Sequence, residues 1–309
     1  MAVLSEFVET FGQQLLRRFG ERVHKVAIDA AFTCPNRDGS RGWGGCSFCN
    51  NRSFHPRVVA LPIGAQVRAG LHCVARRTRA RKAIAYFQTY TNTYAPIAHL
   101  AASYAQALAV PGVVGLSVGT RPDCISPPVA ALLASYRDQG FAVWVELGLQ
   151  SSFDATLMRV NRGHGFAEYC EAVALLQGYG LPICTHLIVG LPGEDRDHAL
   201  ESLSRVLALG VAGLKIHPLH VVRGTQMARD LRAGRYQPLS FGSYVATVAD
   251  LIERTPRQVV FHRLTGTAKA ALLLAPEWCS GKWRVLNAIT AELARRGTRQ
   301  GAKVCGVPA

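Results

Sequence analysis

Residues 113–150 read VVGLSVGTRPDCISPPVAALLASYRDQGFAVWVELGLQ and contain one complete structural repeat. Two short apolar runs that favour strands, Val113–Thr120 and Ala142–Gln150, lie on either side of a helical stretch at Pro127–Gln139. Strands that alternate with helices in this way indicate βα units in a parallel sheet. The stretch therefore predicts an α/β fold.

The same repeat occurs along most of the chain. Further strands are expected at Lys25–Asp29, Ala83–Thr89, Pro182–Gly190 and Gly213–Leu219, and further helices at Gly64–Arg79, Ile97–Val110, Gly165–Gly180 and Asp195–Leu209. Six units are too many for a small sheet and two fewer than the eight of a closed barrel. We therefore expect an open, partial (β/α)6 barrel of the TIM type.

The periodicity becomes weaker after Arg223. Helices are expected at Ser240–Arg254 and Lys282–Arg296, with a short strand at Gln258–Arg263 between them. No linker or low-complexity segment separates this tail from the rest of the chain. We therefore expect a barrel domain at residues 1–223 and a C-terminal extension at residues 224–309 that packs on it.

Composition limits the class of protein. Hydrophobic residues make up 49% of the 309 residues, which is enough for a large core. No apolar run reaches the 18 or so residues that a membrane helix needs, and the N-terminus lacks a basic start followed by an apolar stretch. The sequence predicts a cytoplasmic protein with no signal peptide and no membrane partner.

The chain is strongly basic, with 35 Lys and Arg residues against 20 Asp and Glu residues and a net charge of +15. Three clusters contribute: Arg17, Arg18, Arg22 and Lys25; Arg76, Arg77, Arg79, Arg81 and Lys82; and Arg295, Arg296, Arg299 and Lys303. Such an excess favours a polyanionic partner, of which RNA is the obvious soluble one. A solvated surface that is rich in arginine is the alternative.

Three of the nine cysteines are spaced for metal binding. Cys34, Cys46 and Cys49 form a C-x11-C-x2-C pattern, and glycines at 39, 42, 44 and 45 let the intervening chain fold tightly. Three thiolates fit a [4Fe–4S] cluster with one iron free of protein ligands. A zinc site with His55 as fourth ligand and a set of reactive thiols remain alternatives. Because the loop follows the first strand, at the active-site end of a barrel, its position favours the cluster.

Several longer motifs resemble the radical SAM superfamily and, within it, the YhcC/YtqA-like group. The resemblance extends from about residue 6 to about residue 300, and Glu146–Ser151 with Asn161–His164 also resembles the Elongator catalytic subunit, which acts on the tRNA wobble uridine. The motifs are Ile28–Gly39, Tyr86–Tyr94, Gly119–Asp123, Asn161–His164, His262–Gly266 and Ala275–Cys279.

This resemblance implies a mechanism and two cofactors. Cys34, Cys46 and Cys49 would hold a [4Fe–4S] cluster, and S-adenosylmethionine (SAM) would bind its open iron. An electron from a donor such as flavodoxin or ferredoxin would cleave SAM to a 5′-deoxyadenosyl radical, which abstracts hydrogen from the substrate. The expected activity is that of a radical SAM enzyme, with a tRNA wobble uridine as the suspected substrate.

The remaining candidate residues are assigned to SAM. Family members often carry Gly-Gly-Glu after the second strand, but this chain has Phe87–Tyr90, so Gln88, Thr89 and Thr91 become candidates for the SAM amino group. Glu146 and Gln150 lie four apart on one strand and share a face. Arg162 can grip the SAM carboxylate with its planar fork, and the other candidates are Arg121, Gly190 and Gly193.

Cys279 is the candidate catalytic residue outside the cysteine motif, because a thiol in the tail could donate a hydrogen atom to a radical; a small buried apolar side chain is the alternative.

Two other functions remain open. The first is radical SAM chemistry on a small metabolite or a protein. The second is a zinc-stabilised RNA-binding module without catalysis.

Overall fold

The computed structural model describes residues 3–50, 53 and 61–304. Its main element is a parallel sheet of seven strands, in which each strand pairs with the next strand of the sheet in chain order. The strands are β1 (Val23–Ile28), β2 (Lys82–Phe87), β3 (Val113–Thr120), β4 (Ala142–Gln150), β5 (Ile183–Val189), β6 (Gly213–Pro218) and β8 (Val260–Arg263). The sheet curls into a half-barrel, and Lys25 Nζ of β1 lies 3.0 Å from His262 Nδ1 of β8.

Helices connect the strands and cover the outside of the sheet. In chain order they are α2 (Ile63–Thr78), α3 (Ile97–Leu108), α4 (Pro127–Asp138), α5 (Asp154–Arg159), α6 (Phe166–Gly178) and α7 (Arg196–Ala208). The main core lies between these helices and the sheet, where Phe87, Leu116 and Val145 are fully buried. Across the described ranges, no helix combines the length and the apolar character that a membrane span requires.

The predicted partial barrel is confirmed, but its sheet has seven strands rather than six. The strand expected in the tail, Gln258–Arg263, forms β8 and pairs with β6 through Gly213↔Val260. Helix α9 (Phe241–Arg254) precedes β8 and returns the chain to the same end of the sheet, so β8 joins in parallel. The division of the chain at residue 223 stays a prediction.

Several short elements were not predicted. They are α1 (Phe11–Phe19), α5, the antiparallel pair β7 (Val221–Val222) and β9 (Leu273–Ala275), and α8 (Gln226–Arg232); the closing helix α10 (Lys282–Arg295) was expected. Helix α1 begins at a capping box, in which the Thr10 side chain accepts a hydrogen bond from Gln13 N and Gln13 bonds back to Thr10 N. The Thr10-x-x-Gln13 pattern was the available signal for α1.

The interior of the half-barrel is held by a buried cluster of charged residues around Glu146 of β4. The Glu146 carboxylate is fully buried. Its Oε2 accepts hydrogen bonds from Lys215 Nζ at 2.8 Å and from His186 Nε2 at 2.6 Å, while Oε1 is bonded to Lys25 and Ser117. These four donors come from β1, β3, β5 and β6, so one carboxylate ties together strands across the whole sheet.

Charge pairing sets the protonation of this cluster. Burial alone would raise the pKa of Glu146, but the charges of Lys215 and Lys25, with a hydrogen bond from His186 and the nearby His262 ring, hold that pKa well below its ordinary value. Burial lowers the pKa of Lys215 to about 8 against the opposing attraction of Glu146. At neutral pH the carboxylate is therefore ionised between two lysines.

We expect Glu146→Gln to lower the free energy of unfolding by about 3–5 kcal/mol, because it leaves the buried Lys215 and the partly buried Lys25 without their counter-charge. Chemical denaturation at pH 7 measures this change. Since the folded-state pKa of Glu146 is depressed, its stabilising contribution is present above the unfolded pKa and is lost as pH falls through the folded one. The variant should therefore lose less stability than the wild type on acidification.

The matched control is Glu171→Gln, which removes the same charge at an exposed position on α6. We expect this variant to unfold within about 0.5 kcal/mol of the wild type. Equal stability of the two variants would show that the Glu146 cluster does not hold the half-barrel together.

Candidate active site

One cavity opens at the carboxyl ends of the parallel strands, where barrel enzymes place their chemistry. Strand ends and the loops after them line it together. It brings together nine of the thirteen predicted site residues, namely Cys34, Cys46, Cys49, Gln88, Thr91, Arg121, Glu146, Gln150 and Arg162. The cavity therefore contains all three cysteines of the predicted metal site.

The cysteine loop folds as tightly as its glycines predicted. Cys49 N donates to Cys46 O at 2.9 Å and closes a turn around the C-x2-C pair, while Gly45 N donates to Asn36 O at 2.7 Å. Gly39 has a φ of 91°, and a Cβ there would lie 2.3 Å from the Trp43 ring. A larger residue at 39 would thus force Trp43 away from the loop.

Two asparagines fasten this loop to the segment after α5. Asn36 is fully buried, and its Nδ2 donates to Asn161 O at 2.5 Å. In return, Asn161 Nδ2 donates to Gly45 O at 2.8 Å. Asn161 has the left-handed φ of 51°, which asparagine tolerates better than most residues. The Asn161–His164 motif thus positions the cysteine loop.

Polar groups surround the thiols. Arg162 Nη1 lies 3.4 Å from Cys46 Sγ, and Asn36 Nδ2 lies 3.8 Å from it. Burial and the neighbouring Cys46 raise the pKa of Cys49, and Arg37 opposes this rise. Coordination to a metal would deprotonate such a thiol outright.

The spacing of the three cysteine sulfurs does not match a single zinc ion. Zinc–sulfur bonds of about 2.3 Å would bring tetrahedrally arranged sulfurs to roughly 3.8 Å from one another. Cys34, Cys46 and Cys49 are not among the described groups whose ligand atoms all lie within 4.8 Å of one another. Their sulfurs are thus spread more widely than a zinc site requires. His55, the fourth ligand of the zinc alternative, lies outside the described residues.

A different trio, Glu146, Cys184 and His186, does bring its ligand atoms within 4.8 Å among the described residues. However, Lys25 and Lys215 already pair with this carboxylate. The two ammonium groups occupy both carboxylate oxygens, and their positive charge opposes the binding of a metal cation there. We therefore assign this trio to the structural cluster and not to a metal.

Arg162 and Gln150 converge on Gly148 beside the cysteines. Arg162 Nη2 donates to Gly148 O, and a Cβ at Gly148 would lie 2.8 Å from Arg162 Nη2 and 2.9 Å from Gln150 Nε2. Gly148 thus leaves the space that both side chains occupy. Arg162 Nε is buried and has no hydrogen-bond partner among the described residues, which leaves a donor for a ligand.

Arg121 supports Arg162 from behind. Its Nη1 donates to Arg162 O at 2.8 Å, and its Nε and Nη2 form a two-point ion pair with Asp123 at 2.9 and 2.8 Å. Although Arg121 lines the cavity, its donors are largely committed to these protein groups. Glu146 also lines the cavity, but its carboxylate already accepts hydrogen bonds from four protein donors.

Four predicted site residues lie elsewhere. Thr89 is buried outside the cavity, and its Oγ1 has no partner in the described part of the chain. Gly190 and Gly193 line a separate pocket beside Tyr236. Cys279 is fully buried in a short 3-10 helix, Glu277–Ser280, where burial raises its pKa to about 12. The structure does not bring these residues to the cysteines, and their roles stay predictions.

The cavity is also lined by a group of basic residues, in which the histidines were expected near strand ends but Lys215 and Arg263 were not singled out from the sequence. Lys215, His217 and Arg263 line it together with His220. Lys215 and His217 are two apart on β6 and therefore share a face. This alternation, and the position of Arg263 at the end of a predicted strand, were the signals available.

Comparisons with known proteins agree with this geometry. The family model "Radical SAM superfamily" matches residues 36–206, and the model "Radical_SAM C-terminal domain" matches residues 211–295. Protein YhcC of Escherichia coli K12 is 44% identical over 299 residues, which cover 97% of this chain and 96% of YhcC. This match confirms the resemblance to the YhcC/YtqA-like group.

Two more distant proteins share part of the chain or its fold. The tRNA uridine(34) acetyltransferase of Dehalococcoides mccartyi is 34% identical over 167 residues, or 52% of this chain and 35% of that protein. The structure of archaeal Methanocaldococcus infernus Elp3 superposes with a TM-score of 0.70 at 17% identity, covering 90% of this chain and 64% of that one. With its cysteine loop at the mouth of a parallel half-barrel, this chain belongs to the radical SAM superfamily.

Proposed function

We propose that the cavity binds a [4Fe–4S] cluster and SAM, and that the protein is an enzyme that starts radical reactions. The observation that carries the proposal is the presence of three cysteines and Arg162 in one cavity at the carboxyl ends of the strands. When bound, the cluster and SAM supply a one-electron cleavage that gives a 5′-deoxyadenosyl radical for hydrogen abstraction.

The chain's own residues would bind and orient these groups. Cys34, Cys46 and Cys49 hold the cluster, and the Arg162 fork holds the SAM carboxylate, for which its free Nε is suited. Gln88 and Thr91 offer an amide and a hydroxyl to the SAM amino group. Gln150 lies beside Arg162 and adds a second amide. A reducing partner such as flavodoxin or ferredoxin supplies the electron in the cytoplasm.

We propose tRNA as the substrate, with the wobble uridine as the target. The resemblance to the Elongator catalytic subunit and to a tRNA uridine(34) acetyltransferase supports this choice. So do two exposed aromatic rings: Trp43 in the cysteine loop is 75% exposed, and Tyr90, which lines the cavity, is 38% exposed. The Arg37 guanidinium lies 5.9 Å from the Tyr90 ring centre. Exposed aromatic rings beside arginine form a stacking surface for unpaired bases.

The arginines of two basic clusters lie away from the cavity. Arg17 and Arg18 end α1 just before β1, and Arg76 and Arg77 end α2 just before β2. They are therefore at the amino ends of the strands, opposite the cavity. A base that reaches the cavity would be bound by the exposed aromatic rings, and these arginines would contact only distant phosphates.

The first test of the proposal is production of 5′-deoxyadenosine. The protein is purified and reconstituted with iron and sulfide without oxygen, then reduced by dithionite with SAM. We expect the wild type to release 5′-deoxyadenosine and Cys46→Ala to lose this activity at least 100-fold, because the cluster loses a ligand. Cys73→Ala, at an exposed position on α2, is the matched control and should keep it.

A protein that binds zinc rather than iron under these conditions and releases no product would overturn the proposal. That result would favour the zinc-stabilised RNA-binding module. Product release that does not change when RNA is removed from the substrate pool would retain the radical chemistry and point to a small metabolite or a protein as substrate.

The tRNA assignment predicts that Trp43→Ala weakens tRNA binding by roughly tenfold or more, since stacking contributes about 1–3 kcal/mol per base. Filter binding at several salt concentrations measures the affinity. Trp283→Ala is the matched control, because this tryptophan is 71% exposed on α10. Equal affinities for the two variants, at equal iron content, would contradict base stacking on Trp43.

A further inference from the structure

Arg263 ends β8 and, among the described residues that line the cavity, is the cation whose interactions the proposed function leaves unexplained. Its side chain faces the same cavity as the cysteines. Within the described ranges, no hydrogen bond or ion pair joins its guanidinium to another side chain or to the backbone. Because a guanidinium carries five donors and is always charged, a half-buried one without a partner calls for an explanation.

The other cations around the cavity have protein partners, and the free Nε of Arg162 is assigned to the SAM carboxylate. Arg121 pairs with Asp123, Lys215 pairs with Glu146, and Arg162 bonds to Gly148 O and Cys46. Arg37 donates to Cys49 O at 2.8 Å. Among the described residues, the only carboxylate that lines the cavity is that of Glu146, and Lys25 and Lys215 already neutralise it. Arg263 is therefore left without a counter-charge.

A second positive charge beside Arg263 also favours the binding of an anion in the cavity. Arg263 is the register partner of Lys215 on β6, so two like charges lie side by side on adjacent strands. The Coulomb field of Arg263 lowers the pKa of Lys215. Two like charges on neighbouring strands repel each other and destabilise the fold. An anion in the cavity would offset this repulsion.

Two histidines complete the wall beside Arg263. His217 and His220 pack against Gly266, where a Cβ would lie 2.4 Å from His217 Nδ1 and 3.1 Å from His220 Cε1. His220 Nε2 is buried and has no hydrogen-bond partner in the described part of the chain. Gly266 thus explains part of the His262–Gly266 motif, since it lets both rings line the cavity.

We infer that Arg263, with His217 and His220 beside it, forms a subsite for an anionic group of the substrate, either a carboxylate or a phosphate. The planar fork of arginine fits both groups through two parallel hydrogen bonds. The inference rests on the proposed function, in which Arg162 beside Cys46 takes the SAM carboxylate. Arg263 then remains available to orient the substrate.

Binding of simple anions tests the subsite. The reconstituted protein is titrated with sodium phosphate and, separately, with sodium acetate, at an ionic strength kept constant with sodium chloride. The melting temperature is recorded for the wild type, Arg263→Gln, Arg263→Lys and the exposed control Arg77→Gln. We expect one probe to give saturable stabilisation in the wild type and the control. Its apparent affinity should fall about tenfold or more in Arg263→Gln and less in Arg263→Lys.

Folding and SAM binding are measured in parallel. Without an anion, Arg263→Gln should melt no lower than the wild type, because the change removes a repulsive charge beside Lys215. The Kd for SAM, from equilibrium dialysis, should stay within about twofold of the wild-type value. A stronger response to phosphate would identify a phosphate group on the substrate, and a stronger response to acetate would identify a carboxylate.

Three results would overturn the inference. In the first, neither phosphate nor acetate raises the melting temperature of the wild type above its value in sodium chloride. In the second, the rise in melting temperature persists in Arg263→Gln. In the third, Arg263→Gln weakens SAM binding as much as anion binding. The last result would place Arg263 in the SAM site. Because these measurements need no turnover, an Arg263-dependent anion response without 5′-deoxyadenosine would retain the subsite and reject the radical function.

Discussion

The ion pairs of Glu146 with Lys25 and Lys215 are the constraint on which the rest of the molecule depends. A charge in the interior of a half-barrel is costly unless it is paired and hydrogen-bonded. Here one carboxylate accepts donors from four other strands, and Lys25 reaches on to His262 of the last strand. The pairing fixes how far the sheet curls, and therefore how far apart the strand ends lie around the cavity above it.

The same constraint determines the electrostatic character of the cavity. One carboxylate serves two lysines, so no described acidic side chain remains to balance Arg263. A site with a surplus of positive charge suits anionic occupants: an iron–sulfur cluster with three thiolates, the SAM carboxylate, and a negatively charged group of a substrate. Arg162 at the cysteines and Arg263 on the last strand give this surplus two separate positions.

The sequence was sufficient for features that have a local signal. Short apolar runs predicted six strands of the main sheet and, in the tail, the strand that joins it as the seventh, and the spacing of Cys34, Cys46 and Cys49 predicted that they share one loop. The partners of Glu146 could not be found in this way, because Lys25 is 121 residues away in sequence and Lys215 is 69 residues away. Pairs at such separations depend on how the sheet curls. The same reason explains why Gly190 lies in another pocket although it follows β5 directly.

Net charge illustrates the same limit for function. A total of +15 indicates that anions are attracted, but it contains no information about where they bind. In this fold the basic clusters at the ends of α1 and α2 precede strands, whereas the cavity follows them. The two lie at opposite ends of the barrel, so the clusters cannot select a base in the cavity. For the proposed RNA substrate, selection of a base would fall to groups inside the cavity, where the Tyr90 ring and the Arg263 guanidinium, which has no partner among the described residues, are available.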